Sequence, residues 1–289
     1  MPIIDAQVHC YERNHPGRPW HAALAGPPQV TAADMVKAMD DVGVDGAILI
    51  SVYTMYHWDA SYAVAVQKAH PDRFGVVKPV NANDPKVEDT IAEWAGMPGT
   101  VGIRIMMTPE ISTDSADPGL NRILRAAGKH DLPVNMLARD RLEQLGQLAK
   151  RNPDTQIVLD HLGLEQPFVP PAPAEPWKEL PKVLALAANK NIAIKISGAC
   201  TLSHQKFPYN DIWDPLWRIF DAYGLERCLW GTDWTRVVGL TYDQAVEAFR
   251  TTNRLSDSDR AILMGGALTR IYHWAPRSPE RRATGGSAP

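Results

Sequence analysis

Eight short apolar runs rich in Val and Ile recur along the chain, with longer amphipathic segments between them. The runs cover residues 3–9, 46–52, 74–80, 101–107, 133–138, 156–161, 192–197 and 228–233. Strands of this kind belong to a parallel sheet covered on both faces, and each gap leaves room for the helix and two loops of a right-handed crossover. Helix start signals occupy the gaps: Thr31 with Asp34 opens a segment 32–42, Asp84 precedes Pro85, Asp117 precedes Pro118, Asp140 and Glu143 bracket Leu142, and Ser256 is followed by Asp259. Eight strand–helix units close most economically as a single α/β barrel, a distorted (β/α)8 fold of TIM type. An open doubly wound sheet would carry a Gly-x-Gly-x-x-Gly turn after its first strand, and this chain has none.

Two stretches break the rhythm. Residues 164–177 hold Pro167, Pro170, Pro171, Pro173 and Pro176, so this segment reads as a semi-rigid loop starting at the rim beside the sixth strand. Phe168 and Trp177 are expected to roof a pocket there. Residues 1–276 are expected to form one barrel domain, and residues 277–289, with Thr284-Gly285-Gly286-Ser287, a flexible tail. The net charge of −3, without any basic run, argues against nucleic acid as a partner. No apolar stretch approaches the roughly 20 residues that cross a bilayer, so no membrane partner is expected either. The start Met1-Pro2-Ile3-Ile4 carries no secretory pattern, and Cys10, Cys200 and Cys228 suit neither a disulfide framework nor a zinc knuckle. A cytoplasmic location is the expectation, with the oligomeric state, a homo-oligomer included, left open.

Active sites of such barrels are built where the strands end. The first run ends Asp5-Ala6-Gln7-Val8-His9, and a period of two puts Asp5, Gln7 and His9 on one face. The sixth run ends in Asp160-His161 and the eighth in Thr232-Asp233-Trp234, so two histidines and an aspartate are expected to converge. Asp5 lies deep and suits a structural hydrogen bond. Arg104, in the fourth run, could meet a substrate carboxylate or neutralise an internal acid such as Asp5, while Arg139 and Arg236 follow the fifth and eighth runs. Three arginines at one rim point to an anionic ligand. Tyr53 and Trp58, after the second run, are candidates for a pocket wall. Lys78 and Lys195 lie within strands, where an inward lysine could form a Schiff base, but nothing else about the strand ends suggests an aldolase.

Asp5-Ala6-Gln7-Val8-His9, Leu159-Asp160-His161-Leu162-Gly163 and Gly231-Thr232-Asp233-Trp234, with Lys195-Ile196-Ser197-Gly198 and His70-Pro71-Asp72-Arg73-Phe74, resemble the signature segments of the amidohydrolase superfamily. The resemblance is to the amidohydrolase-related branch, which includes lactonases and some decarboxylases. Two departures matter. Gln7 stands where the family's first-strand pattern has histidine, and Asn135-Met136-Leu137-Ala138-Arg139 supplies no histidine at the fifth strand. The remaining candidates for zinc are His9, His161 and Asp233, and an amide oxygen is a poor substitute for imidazole. The resemblance therefore favours no metal and no cofactor, as in the metal-independent lactonases typified by 2-pyrone-4,6-dicarboxylate lactonase. Carried over, it implies hydrolysis of a carboxylated or sugar-acid lactone, with Asp233 activating water while His9 and His161 polarise the carbonyl; Gln7, Arg104, Arg139, Arg236, Tyr53 and Trp58 would bind the substrate. The alternatives are a lactone isomerase, a metal-dependent hydrolase or decarboxylase on the same scaffold, and a non-catalytic sugar-acid binding protein.

Overall fold

The computed structural model describes residues 1–235 and 239–277, so Arg236 and most of the expected tail lie outside the described residues. Eight parallel strands follow one another in chain order: β1 Ile4–Val8, β2 Gly46–Ile50, β3 Phe74–Pro79, β4 Thr100–Met106, β5 Val134–Leu137, β6 Ile157–Leu159, β7 Ile192–Lys195 and β8 Cys228–Leu229. The longer helices between and after them are Ala32–Asp41, Ser61–Ala69, Val87–Ala95, Pro118–Lys129, Leu142–Arg151, Leu180–Leu186, Trp213–Tyr223 and Tyr242–Arg250. The barrel closes beyond the end of the short β8, where the amides of Ala6, Asp233 and His9 donate to the carbonyls of Trp230, Gln7 and Trp234 at 3.0, 3.0 and 2.9 Å. This is the expected (β/α)8 fold.

Strand parity divides the core in two. Outward residues such as Leu49, Val76, Ile105, Met136 and Ile194 pack with helix residues such as Met35, Met39, Ile123, Leu124 and Leu148. Ile48, Ile50, Val77, Val158, Ala193 and Leu229 form a second apolar cluster with Leu268, Ile271 and Tyr272 of the C-terminal helix Ala267–Tyr272. Thr31 and Asp34 make the expected reciprocal capping box, and Asp117 and Ser256 cap their helices. Two expected caps are corrected. The helix after Pro85 starts at Val87, because Asp84 spends its carboxylate on the amide of Lys86 in a turn. Asp140 sits at φ +61° and caps nothing, so the helix Leu142–Arg151 starts after Arg141.

The period of two also fails locally in β1. A register shift between Asp5 and Val8 turns Asp5 away from the face that carries Gln7 and His9. Its carboxylate, fully buried, instead accepts from the amides of Gln7 (3.0 Å) and Thr232 (2.9 Å) and from the Thr232 hydroxyl (2.7 Å). That bond pattern clamps the first strand to the last. Thr232→Val keeps the shape and removes the hydroxyl donor from a buried acceptor, so it is expected to lower unfolding free energy by about 1–3 kcal/mol, measured by denaturant titration.

Candidate active site

β6 stops at Leu159 and the chain folds into a tight turn, Asp160–Gly163, in which His161 and Leu162 adopt φ of +53° and +61°. Asp233, beyond β8, is also left-handed at φ +58°. Each such non-glycine conformation costs on the order of 1 kcal/mol and persists where surrounding contacts impose it. Here it brings both side chains together: His161 Nδ1 lies 3.7 Å from Asp233 Oδ2. Gly198, at φ +71°, permits a related close approach, because a Cβ there would sit 2.1 Å from the Oε1 of Gln166. The amide of Gln166 bridges the loops after β6 and β7 by donating to the carbonyls of His161 (3.3 Å) and Ser197 (2.8 Å).

The buried polar groups form a continuous chain. Asp160 receives Arg104 Nε at 2.8 Å and faces Lys195 Nζ at 3.0 Å. Lys195 also donates to Gln7 Oε1 at 2.8 Å. With its oxygen committed to an ammonium, the Gln7 amide must aim its NH₂ the other way, and Nε2 lies 3.1 Å from Asp233 Oδ1 and 3.2 Å from His161 Nε2. Burial opposes the Asp160 charge, but Lys195 and Arg104 outweigh it and lower that carboxyl to about 2. Burial pulls Lys195 down from its ordinary value against the attraction of Asp160.

These partners place a proton on Nδ1 of both histidines. His161 Nε2 faces N–H groups of Gln7 and Arg104 (3.4 Å), so it is an acceptor, and the ring proton lies on Nδ1, 3.0 Å from Ser197 Oγ. Burial, with the Arg104 and Lys195 charges adding to it, lowers His161 to about 4 despite Asp233 and Asp160, which keeps the ring neutral near pH 7. His9 Nδ1 lies 2.8 Å from the carbonyl of Ile50, which can only accept. Its Nε2 lies 3.2 Å from Asp233 Oδ1, so a bond there requires a second proton shared between ring and carboxylate.

Zinc does not fit this arrangement. Among the described residues no group of three or more His, Cys, Asp or Glu is placed to hold a metal ion. The imidazole lone pair of His161 that would bind a cation is turned onto an amide N–H and a guanidinium, both positive-ended donors. The set His9, His161 and Asp233 considered for zinc is thus brought together, but as a hydrogen-bonded group.

His9, Arg104, His161 and Asp233 line one cavity of about 270 Å³ with Arg139, Arg141, Leu164, Gln166, Pro167 and Phe168. Phe168 lies where the proline-rich loop was expected to bring it. Trp177 packs on the core instead. Tyr53 and Trp58 are not among the residues lining the cavity; their rings pack on each other, 4.9 Å apart, and Tyr53 stacks on His57. Arg104 neutralises an internal acid, as one reading of the sequence had it, but the acid is Asp160 and not Asp5. Arg236 lies outside the described residues. A larger cavity of about 610 Å³ across Pro167 and Pro170 is lined by none of the convergent residues.

The amidohydrolase family profile matches residues 4–274. The chain belongs to this family. A 4-sulfomuconolactone hydrolase of Rhizobium radiobacter is 27% identical over 215 residues, which cover 72% of this chain and 67% of that protein. An L-fucono-1,5-lactonase of Burkholderia ambifaria is 33% identical over 149 residues, 50% of this chain and 49% of its own length. Among solved structures, a probable 2-pyrone-4,6-dicarboxylic acid hydrolase of Acinetobacter baumannii, crystallised with citric acid, superposes with a TM-score of 0.76 at 19% identity, over 95% of this chain and 100% of that one. No helix of this amidohydrolase, among the described residues, is long and apolar enough to cross a membrane.

Asp160 and Lys195 lie at the centre of the hydrogen-bonded group, and strand-end reasoning left them unassigned. The available signal was parity: Asp160 follows Val158 and Lys195 follows Ala193, both in the inner apolar cluster. Two buried groups give the protein opposing pH responses. Asp5, raised by burial to about 6 against its Thr232 and Gln7 hydrogen bonds, binds a proton more readily folded than unfolded, so its contribution to stability falls as pH rises from about 4 to 6. His161, lowered to about 4, does the reverse, and its contribution grows from about 4 to 6.5. Denaturant titrations across this window are expected to give Asp5→Asn a steeper rise of stability with pH than wild type, and His161→Gln a fall.

Proposed function

We propose that this amidohydrolase hydrolyses a carboxylated or sugar-acid lactone, with Asp233 as general base and no resident metal ion. The observation that carries the reading is a buried carboxylate at the barrel mouth, lining a cavity and hydrogen-bonded through Oδ1 to Gln7 and His9. Names of two relatives, a sulfomuconolactone hydrolase and a fuconolactonase, support the substrate class. The orientation of Gln7 and Arg104 toward His161 supports a site that works without a divalent cation.

In this reading Asp233 takes a proton from water as the water oxygen attacks the lactone carbonyl carbon. General-base help of this kind contributes about 10²- to 10⁴-fold. The charge that develops on the carbonyl oxygen is met by the cationic side of the pocket, where Arg104 lines the cavity. His161 takes a different part from the one its motif implies: its Nε2 accepts and its Nδ1 proton points to Ser197 and Asp233, so it orients the carboxylate and presents no proton to the substrate. Collapse of the tetrahedral adduct breaks the ring C–O bond, and the departing alkoxide recovers the proton from Asp233. The product is the open hydroxy acid.

Arg139 and Arg141 extend the cationic rim. Arg139 is half-exposed and lies 3.6 Å from Glu165 and 3.7 Å from Asp140, loose pairings that a substrate carboxylate or sulfonate can replace.

Two tests follow. A pH-indicator screen over carboxylated, sulfonated and sugar-acid lactones, with products identified by NMR, is expected to find hydrolysis; a rearranged lactone as product would instead establish an isomerase. On the substrate found, Asp233→Asn is expected to lower kcat by about 10²- to 10⁴-fold with KM nearly unchanged, and Arg139→Met to raise KM with a smaller effect on kcat. Elemental analysis is expected to give substoichiometric zinc, and turnover should survive chelation. A full equivalent of zinc whose removal abolishes turnover would overturn the metal-free reading.

A further inference from the structure

We propose that Lys195 is a positioning residue that acts through Gln7: by holding the amide oxygen it locks the NH₂ onto Asp233 and His161, so that an amide dipole backed by a buried ammonium takes the place a divalent cation would fill between those two side chains. The catalytic half of this inference rests on Asp233 as the base.

The argument begins with a cost. Lys195 and Asp160 are both completely inaccessible to solvent. A buried ion pair generally contributes little net stability compared with apolar residues of similar size, because desolvating two charges offsets their attraction. Asp160 already has a cationic partner in Arg104 at 2.8 Å, so the carboxylate does not need the lysine for neutrality. The ammonium does something that Arg104 does not. It donates to Gln7 Oε1 at 2.8 Å, and that bond removes the two-fold ambiguity of the amide. Rotated by half a turn, Gln7 would present its oxygen to the Asp233 carboxylate and to the His161 lone pair, acceptor against acceptor in both cases, and its NH₂ to an ammonium. Lys195 makes that state unfavourable on both sides.

The consequence is reach. Asp160 fixes Lys195 at 3.0 Å, Lys195 fixes Gln7, and Gln7 donates to Asp233 Oδ1 at 3.1 Å while its NH₂ faces His161 Nε2 at 3.2 Å. The carboxylate is thereby held in one rotamer, with Oδ2 directed toward the His161 ring. Positive charge reaches the site in fixed form, without a dissociable ion.

A double-mutant cycle separates this role from simple support of the fold. K195M leaves the Asp160–Arg104 pair matched, and Q7M removes the amide. If Lys195 works through Gln7, each single variant lowers kcat by about 10- to 100-fold, the worth of one hydrogen bond to a charged group, with KM within about threefold. The double variant should then be no slower than the slower single one. Multiplying losses would overturn the proposal.

A second measurement needs no substrate. In protein labelled with ¹⁵N-glutamine, the Gln7 side-chain amide, assigned by its absence in Q7M, is expected to exchange its protons at least about tenfold faster in K195M. The Gln67 amide, buried elsewhere, should stay unchanged. Identical Gln7 exchange in wild type and K195M would overturn the proposal whatever the lactone screen finds, and a failed screen with an unlocked amide would sink the lactonase reading alone. K195L serves the same comparison should K195M not fold.

Discussion

Backbone hydrogen bonds across the seam between the first and last strands hold the site together. The amides of Ala6, Asp233 and His9 pair with the carbonyls of Trp230, Gln7 and Trp234, and Asp5 adds a side-chain clamp onto Thr232. Gln7 and His9 come from the beginning of the chain and Asp233 from near its end, so nothing but closure of the barrel can bring them within hydrogen-bond distance. The same seam joins the two ends of the sheet. Stability and chemistry therefore share one set of contacts, and Thr232 sits beside Asp233 in sequence while serving the former.

Within the closed barrel, low polarity makes every charge consequential. Asp160 is ionised because two cations face it, His161 is neutral because burial and those same cations disfavour its protonation, and Asp5 holds its proton readily because neutral donors alone surround its carboxylate in the contacts described. Three titratable groups within one small barrel are thus driven in different directions by burial and neighbours. Such separation is what acid–base chemistry near neutral pH requires. It also explains why a site short of two family histidines can keep a coherent geometry: an amide and a guanidinium satisfy the His161 lone pair.

How much was legible in the sequence varies with the range of the interaction. All eight apolar runs became strands, since burial on both faces imposes a composition that can be read locally. Several strands end earlier than their apolar runs. β6 stops before Asp160 because left-handed His161 and Leu162 turn the chain, and hydrophobicity carries no signal for φ; β8 pairs with β7 only at Cys228 and Leu229. The misplaced Asp5 has a similar cause, a register shift that breaks a period of two for a few residues. Tyr53 and Trp58 could be read as pocket wall or as loop packing, and in the structure their rings pack on each other, because aromatic rings in a loop can satisfy one another as readily as they line a cavity.

The sequence by itself determined the barrel, the end of it at which polar residues gather, and the loss of two imidazoles at family positions. These follow from patterns written within a few residues of each other. Only the tertiary structure decided which partner each buried charge takes: that Arg104 answers Asp160, that Lys195 turns the amide of Gln7, and that His161 accepts where its motif suggests donation. Gln7 and Lys195 are separated by 188 positions in the chain. Their contact depends on the curvature and register of all the strands between them, and a hydrogen bond of that kind is fixed by the closed shape and not by any local preference.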